Sequence, residues 1–251
     1  MMTFHDLSGT TAVVTGASRG FGRSTAVALA KQGAHVVGVA RNEALLKELS
    51  NELGAAFTPD VADVADPSVA TRLLAQHRPR TVVLNAGATP APAPLRAQTW
   101  ENFSTNWQTD VRQVFNFTRG ALNLPLDPGS VVVSLSSGAA LRGSPLSGGY
   151  AGAKAAIRFI SSYAAWDGER AGAGIRFVAV LPQLTPATDL GRMYTETYAA
   201  AEGMTVAQYI ERVGGSLGAD DVGRGIAHLV TDDRYDAPAY LITRAGLAPV
   251  E

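Results

Sequence analysis

The chain has 251 residues, of which 46% are hydrophobic and 17% are charged, and its formal net charge is −1. This composition supplies a large apolar core, and it shows no basic stripe or acidic tail, so we expect neither a nucleic-acid nor a membrane partner. The absence of cysteine excludes disulfides and a thiol nucleophile. The histidines are isolated along the chain, which argues against a metal site; they are His5, His35, His77 and His228.

The N-terminal residues 1–7 show no charged-then-apolar signal pattern, and no apolar run approaches the length of a membrane span. We therefore expect a soluble cytoplasmic protein.

Short apolar runs alternate with amphipathic segments along the chain. The predicted strands are residues 11–15, 35–40, 55–59, 81–84, 130–135, 176–181 and 240–243. The predicted helices are residues 21–32, 44–53, 67–76, 100–122 and 150–171. Apolar strands separated by helices are typical of a parallel sheet covered on both faces. We expect an α/β fold with a doubly wound parallel sheet and right-handed crossovers.

Two segments interrupt this alternation. Residues 89–94 alternate proline with small residues and predict a stiff, extended loop. Residues 182–218 are too long for an ordinary connection and follow the end of a predicted strand, where a ligand lid is expected in such folds. We expect one domain, residues 1–251, in which residues 182–218 cover the substrate.

A glycine-rich run follows the first predicted strand and opens the first helix. Gly16, Gly20 and Gly22 stand in the order G-x-x-x-G-x-G, and Ser18, Arg19 and Phe21 lie between them. Glycine permits a tight turn and lets backbone N–H groups approach a pyrophosphate, while the helix N-terminus adds partial positive charge. A purely structural turn is the alternative, but its place in the first βαβ unit favours dinucleotide binding.

The end of the second strand indicates which dinucleotide binds. An acidic residue there would bind the 2′-hydroxyl of NAD, but this strand ends in Ala40 followed by Arg41. Arg19 is expected to face the same point, and two guanidiniums can hold a 2′-phosphate. Both arginines can also be ordinary surface residues, but the pattern favours NADP(H).

Acid–base chemistry is indicated by Tyr150 and Lys154, which stand four residues apart and so share one helix face. A tyrosine hydroxyl ordinarily titrates near ~10, and a neighbouring ammonium stabilises the phenolate. Ser137 lies at the end of the fifth predicted strand, where its hydroxyl can donate to a developing oxyanion. Ordinary turn and cap roles are the alternative for these residues.

Together, the glycine run, Asn85-Ala86-Gly87, Ser137 and Tyr150-x-x-x-Lys154 resemble the short-chain dehydrogenase/reductase family. The resemblance extends from residue 7 to about residue 188. It implies a single Rossmann-type domain and hydride transfer between a nicotinamide and a carbonyl or alcohol.

The family pattern also implies roles for individual residues. Tyr150 is then the acid–base, Ser137 holds the substrate oxygen, and Lys154 assists Tyr150 and holds the nicotinamide ribose. Asp63 and Val64 match the family pair that contacts the adenine, although Asp60 and Val61 are an alternative match to the same pair. The implied cofactor-binding residues are Gly16, Ser18, Arg19, Gly20, Phe21, Gly22, Arg41, Asp63, Val64, Asn85, Ala86, Gly87, Tyr150, Lys154, Pro182 and Thr188.

The chain departs from the family pattern in three places. Asp110 stands where many members carry asparagine. In the family this position forms a helix irregularity whose backbone carbonyl holds a relay water, so the resemblance places Asp110 in the catalytic group. Pro182 is followed by Gln183 instead of glycine, and the threonine that contacts the carboxamide is Thr185 or Thr188, of which we favour Thr188. The C-terminal Ala245-Gly246-Leu247 replaces the usual Asp-Gly-Gly.

An NADP(H)-dependent carbonyl reductase or alcohol dehydrogenase is therefore the favoured function. A 3-oxoacyl-carrier-protein reductase is an alternative, with Arg112, Arg119 and Arg158 as scattered docking candidates. A dinucleotide-binding sensor without catalysis is a second alternative. An apolar or aromatic substrate pocket is expected from the residues Leu141, Leu146, Leu190, Met193, Tyr194 and Tyr198.

A homodimer or homotetramer is expected mainly from the resemblance. The predicted helix 150–171 carries small and aliphatic side chains at helical spacing, which can pack against a partner or against the chain's own sheet. These residues are Ala153, Ala156, Ile157, Ile160 and Ala164.

Overall fold

The computed structural model describes residues 6–124 and 126–250, so His5 and most of the segment 1–7 lie outside the described residues. The strands are β1 (Thr11–Thr15), β2 (His35–Ala40), β3 (Phe57–Val61), β4 (Thr81–Leu84), β5 (Val131–Leu135), β6 (Arg176–Pro182), β7 (Ala239–Thr243) and β8 (Gly246–Pro249). The helices are α1 (Gly20–Lys31), α2 (Glu43–Leu53), α3 (Pro67–His77), α4 (Trp100–Asn106), α5 (Arg112–Asn123), α6 (Ala139–Arg142), α7 (Tyr150–Arg170), α8 (Asp189–Ala201), α9 (Val206–Arg212) and α10 (Ala219–Thr231).

The strands form one sheet in the order β3-β2-β1-β4-β5-β6-β7-β8. Pairs from β3 to β7 are parallel, and β8 joins β7 antiparallel at the edge. The order reverses between β1 and β4, so two neighbouring strand ends diverge and leave a crevice at their carboxyl ends. This confirms the predicted α/β doubly wound sheet.

Apolar side chains cover both faces of the sheet. On one face, α1 and α10 bury Leu29 and Ile226 among the strand valines. On the other, α3, α5 and α7 bury Leu73, Phe117 and Ile157. Because β1, β4 and β5 are buried on both faces, they read as continuous apolar runs.

The third and eighth strands differ most from the sequence prediction. The third begins at Phe57 because residues 54–56 form a short 3₁₀ turn ahead of it. The edge strand β8 was not predicted, since Gly246 and Pro249 read as turn residues. Proline is tolerated there because an edge strand leaves one side of its backbone unpaired.

The predicted helix 100–122 is two helices joined by a π-helical turn, Trp107–Val111. A π turn accommodates an extra residue and re-aims the side chains around it. In this turn Asp110 points inward and is only 1% exposed. The family-implied helix irregularity is therefore present at this position.

Residues 182–218 contain α8 and α9 rather than a plain loop. The Thr188 hydroxyl caps α8 by accepting from the N–H of Gly191 at 3.0 Å. Thr205 and Gln208 form a capping box at the start of α9. Among the described residues, no helix combines the length and apolar character that a membrane crossing needs.

Candidate active site

A cleft of about 1670 Å³ opens at the carboxyl ends of the strands. The predicted site residues line it with one exception, Gly22, which packs beneath its floor. The lining members are Gly16, Ser18, Arg19, Gly20, Phe21, Arg41, Asp63, Val64, Asn85, Ala86, Gly87, Asp110, Ser137, Tyr150, Lys154, Pro182 and Thr188. The cleft thus brings together predicted residues that are far apart in sequence: Gly16 and Thr188 are separated by 172 positions.

The three glycines of the first turn are required for different reasons. A Cβ on Gly16 would lie 2.7 Å from Asn85 Nδ2, and one on Gly22 would lie 2.1 Å from the Gly16 carbonyl oxygen. Gly20 has room, with Thr188 Cγ2 at 3.4 Å, but its φ of 55° disfavours other residues. Gly16 and Gly22 therefore permit close packing, and Gly20 permits the backbone turn.

The N-terminus of α1 is suited to an anion. Arg19 precedes the helix in an extended conformation, and no side chain caps the first N–H groups. The first turn also holds no acidic residue. These free donors and the helix dipole face the cleft, as binding of a pyrophosphate requires. The residues present fit a dinucleotide.

The loop after β4 is tied to the glycine turn by side-chain hydrogen bonds. Asn85 Nδ2 donates to the carbonyl oxygens of Thr15 at 3.0 Å and Gly16 at 3.3 Å. The Thr15 hydroxyl accepts from the N–H groups of Asn85 and Ala86 at 2.9 and 3.1 Å. Asn85 thus holds two cleft walls in fixed relation, which explains its place in the family motif.

The two arginines at the predicted 2′-phosphate end differ in their surroundings. Arg19 pairs with Asp189, the first residue of α8, at 2.8 Å, and both side chains are more than half exposed. Arg41 is exposed at the cleft edge, and within residues 6–124 and 126–250 no carboxylate pairs with it. Arg41 is therefore the guanidinium that an incoming anion meets without displacing a partner.

The two adenine placements left open by the sequence differ in their surroundings. Asp60 lies on β3 and forms a two-pronged ion pair with Arg72, at 2.7 and 2.8 Å. It does not line the cleft, whereas Asp63 and Val64 do. The side chain of Asp63 accepts from the N–H of Ala65 at 3.0 Å, which fixes the turn after β3.

Lys154 lies one turn into α7 from Tyr150 and is 5% exposed. Its ammonium donates to the Leu135 carbonyl oxygen at 3.0 Å and lies 5.5 Å from the centroid of the Tyr150 ring. Burial disfavours the ammonium, but the Asp110 carboxylate and Tyr150 outweigh that cost and raise the pKa of Lys154. Lys154 is therefore charged at neutral pH.

Asp110 forms a direct ion pair with Lys154. Its Oδ2 lies 3.1 Å from Lys154 Nζ, and its Oδ1 accepts from the N–H of Ala88 at 2.8 Å. Asn106 Nδ2 lies 3.3 Å from Oδ2. The sequence suggested a backbone role at this position, and the side-chain contact with Lys154 was missed because the two residues are 44 positions apart.

The two serines after β5 have different environments. The Ser136 hydroxyl is buried and donates to the carbonyl oxygen of Lys154 at 2.7 Å, which anchors α7. Ser137 accepts from the N–H of Ala139 at 3.1 Å. Its hydroxyl proton is thus free to point into the cleft, as an oxyanion donor requires.

The two candidate threonines also differ. Thr185 is 2% exposed, and its hydroxyl donates to the carbonyl oxygen of Leu217. Thr188 uses its oxygen to cap α8, and its proton remains available.

Gln183 replaces the family glycine and donates to the carbonyl oxygen of Val213 at 2.5 Å. Gln183 therefore ties the end of α9 to the end of β6.

A model of the short chain dehydrogenase family matches residues 10–199. The chain belongs to the short-chain dehydrogenase/reductase family. Serine 3-dehydrogenase of Rhizobium radiobacter is 32% identical over 179 residues, which cover 68% of this chain and 70% of that protein. An NADPH-dependent pterin aldehyde reductase of Arabidopsis thaliana is 31% identical over 160 residues, covering 60% of this chain and 66% of that one.

A solved structure of similar fold carries a bound cofactor. The crystal structure of 3-ketoacyl-(acyl-carrier-protein) reductase from Brucella melitensis complexed with NADH has a TM-score of 0.74 and 26% identity to this chain. The match covers 92% of this chain and 93% of that one.

In this family member, a row of tyrosines leads away from Tyr150. Ring centroids are 6.3 Å apart from Tyr150 to Tyr194, 6.4 Å from Tyr194 to Tyr198, and 6.1 Å from Tyr198 to Tyr209. Tyr194 donates to the carbonyl oxygen of Pro90 at 3.2 Å, and burial raises its pKa, so its hydroxyl is neutral. The row gives the cleft an aromatic wall that begins at Tyr150.

The pocket prediction is corrected in detail. Met193 and Leu146 do not line the cleft, whereas Leu141, Leu190, Tyr194 and Tyr198 do. The prediction missed lining residues at the far end, among them Glu202, Tyr209 and Arg212. Arg212 pairs with Glu202 and lies over the Tyr209 ring, 4.9 Å from its centroid. No motif marks these residues, because they enter the cleft only through the packing of α9 on α8.

Most of the small and aliphatic residues predicted on α7 pack inside the chain. Ala153, Ile157 and Ala164 are at most 5% exposed, and Ile160 packs against the same core. They therefore cover the chain's own sheet, which was the alternative left open. The exposed stripe of α7 is aromatic instead: Phe159, Tyr163 and Trp166 are 55%, 66% and 61% exposed.

Proposed function

We propose that the protein is an NADP(H)-dependent oxidoreductase that transfers a hydride between the nicotinamide and a carbonyl or secondary alcohol. The observation that carries the proposal is the placement of Tyr150, Lys154 and Ser137 in the same cleft as the uncapped N-terminus of α1. A site for the cofactor diphosphate and a set of proton-handling groups thus share one surface. The bound nicotinamide supplies or accepts the hydride.

The protein's own residues handle the proton and the substrate oxygen. In reduction, the Tyr150 hydroxyl gives its proton to the oxygen of the substrate, and in oxidation the phenolate takes it back. Ser137 donates a hydrogen bond to the same oxygen and stabilises its developing negative charge. The Lys154 ammonium stabilises the phenolate, and on the family pattern it also holds the nicotinamide ribose.

Preference for the 2′-phosphate is assigned to Arg41 and Arg19. Arg41 is accessible at the cleft edge, and Ala40 offers no acceptor to a 2′-hydroxyl. Relatives differ in this respect, since one is named NADPH-dependent and another was crystallised with NADH. Dissociation constants for both cofactors test the assignment: we expect tighter binding of NADPH, and Arg41→Ala should abolish that difference. Equal affinities in the unmodified protein would overturn it.

We also propose that the chain acts as one domain in which residues 182–218 form the substrate lid. Two contacts support this arrangement. The ion pair of Arg19 with Asp189 joins the glycine turn to the start of α8, and Gln183 joins β6 to the end of α9. Both ends of the lid are thus anchored at the cleft.

A panel of ketones, aldehydes and secondary alcohols, assayed with NADPH and NADH, tests the reaction class. The proposal predicts NADPH-dependent turnover of at least one carbonyl compound. Binding of NADPH without any turnover would favour the sensor function instead. The tyrosine row favours substrates with an apolar or aromatic body over small polar ones.

A 3-oxoacyl-carrier-protein reductase is the second candidate, because the Brucella melitensis structure has that activity in its name. Its docking candidates are unfavourably placed, since Arg112, Arg119 and Arg158 lie on α5 and α7 and do not line the cleft. Turnover of a 3-oxoacyl group should then be no faster on the carrier protein than on a short free thioester. A large carrier-dependent gain would favour this candidate.

We propose that the protein forms a homodimer or homotetramer. The aromatic stripe of α7, together with Phe115 on α5, leaves large apolar side chains in water, which monomers rarely do over a contiguous patch. A second copy of the chain can cover it by packing α5 and α7 against their counterparts. Light scattering at micromolar concentration tests this, and a monomer would contradict it.

A further inference from the structure

The buried carboxylate of Asp110 lies beside the ammonium of Lys154 and so affects the charge near Tyr150. Lys154 is the charged group closest to Tyr150 along α7, and its ammonium is held between the Leu135 carbonyl oxygen and Asp110 Oδ2. Asp110 is 1% exposed and Lys154 is 5% exposed, so water screens neither charge effectively. The net charge of this pair near Tyr150 is close to zero.

We propose that Asp110 is a positioning residue whose carboxylate offsets the charge of Lys154 and so disfavours the phenolate form of Tyr150. The protein is then suited to carbonyl reduction, in which Tyr150 gives a proton. Alcohol oxidation, which needs the phenolate, is disfavoured by the same ion pair. This inference rests on the proposed role of Tyr150.

The direction in which Asp110 affects the ionisation of Tyr150 follows from electrostatics. An unpaired ammonium favours the negatively charged phenolate, while a carboxylate beside the ammonium opposes that effect. While Lys154 keeps its proton, removing the carboxylate charge therefore makes the Tyr150 phenolate easier to form. Opposite charges shift ionisation by about 1–3 pH units, so a change of about one unit is expected here. At a fixed pH below the midpoint, one unit corresponds to about a tenfold change in the phenolate fraction.

The other charged and titratable groups around Tyr150 do not oppose the phenolate in the way that Asp110 does. Tyr194 on α8 faces the Tyr150 ring, and its hydroxyl is neutral and bonded to Pro90. Arg142 lines the cleft at the end of α6 but is exposed, so solvent screens it. The Arg212–Glu202 pair lies at the far end of the tyrosine row and is internally compensated.

Asp110→Asn is the decisive substitution, because it keeps the side-chain shape and an oxygen for the N–H of Ala88 while removing the charge. We expect the midpoint of the pH–rate profile for alcohol oxidation to move to lower pH by about one unit. The rate of carbonyl reduction should correspondingly begin to fall at lower pH than in the unmodified protein. Unchanged midpoints in both directions would overturn the proposal.

Asp232→Asn is the matched control. Asp232 is 3% exposed and pairs with Arg234 at 2.5 Å, so it too is a buried carboxylate in an ion pair, but it does not line the cleft. Its substitution should leave the midpoints unchanged. A shift of the same size in this control would show a general effect of lost charge and contradict the assignment.

A second readout does not depend on turnover. Ultraviolet difference titration of tyrosinate, with Tyr150→Phe subtracted, follows the ionisation of Tyr150 itself. The Asp110→Asn protein should form this tyrosinate at lower pH than the unmodified protein. If the protein reduces no carbonyl but this shift is present, the proposed function fails, and the electrostatic effect of Asp110 on Tyr150 stands. If turnover is present and neither readout shifts, the inference fails and the function stands.

Discussion

Gly20 offers a direct test of the cofactor cradle at the start of α1. Its φ is 55°, and a Cβ there would meet only the Thr188 side chain, with Cγ2 at 3.4 Å, an ordinary contact. Gly20→Ala should therefore cost only the strain of a left-handed alanine, about 1–2 kcal/mol. The added methyl group lies beside the uncapped N–H groups of the helix, on the face that an incoming pyrophosphate approaches.

Gly172 is the matched control, because its φ is 63° and no atom beyond its chain neighbours lies within 4 Å of the position that a Cβ would take there. It follows α7 and does not line the cleft. Gly172→Ala should lower the free energy of unfolding by a similar amount and leave NADPH binding unchanged. For a chain of this length, each kcal/mol corresponds to about 2–4 °C in Tm.

Thermal unfolding with and without NADPH separates the two effects. At 100 times its dissociation constant, NADPH should stabilise the unmodified protein by ~2.7 kcal/mol. If Gly20→Ala weakens binding about tenfold, the same concentration adds only ~1.4 kcal/mol. Full stabilisation of Gly20→Ala by NADPH, or an equal loss in Gly172→Ala, would refute the assignment of this turn to the cofactor.

Three further outcomes are expected. Ser137→Ala should lower kcat by about a hundred- to a thousand-fold with unchanged NADPH affinity, since one oxyanion donor is lost; wild-type kcat would exclude that role. Asp189→Asn should release Arg19 and tighten NADPH binding by about two- to fivefold, with NADH as the control; equal effects on both cofactors would contradict it. Tyr163→Glu, at a 66% exposed position, should produce smaller particles in light scattering that remain folded; an unchanged particle size would place the interface elsewhere.

The sheet and most of the cleft were predictable because their signals are local. Apolar runs such as 11–15 and 81–84 give the parallel strands their bounds without help from the rest of the chain. The glycine run and the spacing of Tyr150 and Lys154 each lie within a few residues. Strand order then brings these local motifs to the same edge of the sheet.

The contacts that adjust the site were not predictable from local pattern. Asp110 meets Lys154 only because a π turn re-aims it, and no periodicity marks that turn in the sequence. Arg19 meets Asp189 across 170 positions, so its availability for a 2′-phosphate depends on where α8 begins. The aromatic stripe of α7 was overlooked because the small residues beside it show the same helical spacing.

The central claim is that Tyr150 moves the proton in an NADP(H)-dependent reaction. The most direct measurement pairs turnover of a carbonyl substrate with titration of NADPH, in the unmodified protein and in Tyr150→Phe. We predict a loss of turnover of about a hundred- to ten-thousand-fold, because general acid–base catalysis is lost while the ring packing and NADPH affinity are kept. Turnover of Tyr150→Phe at the rate of the unmodified protein would contradict the account.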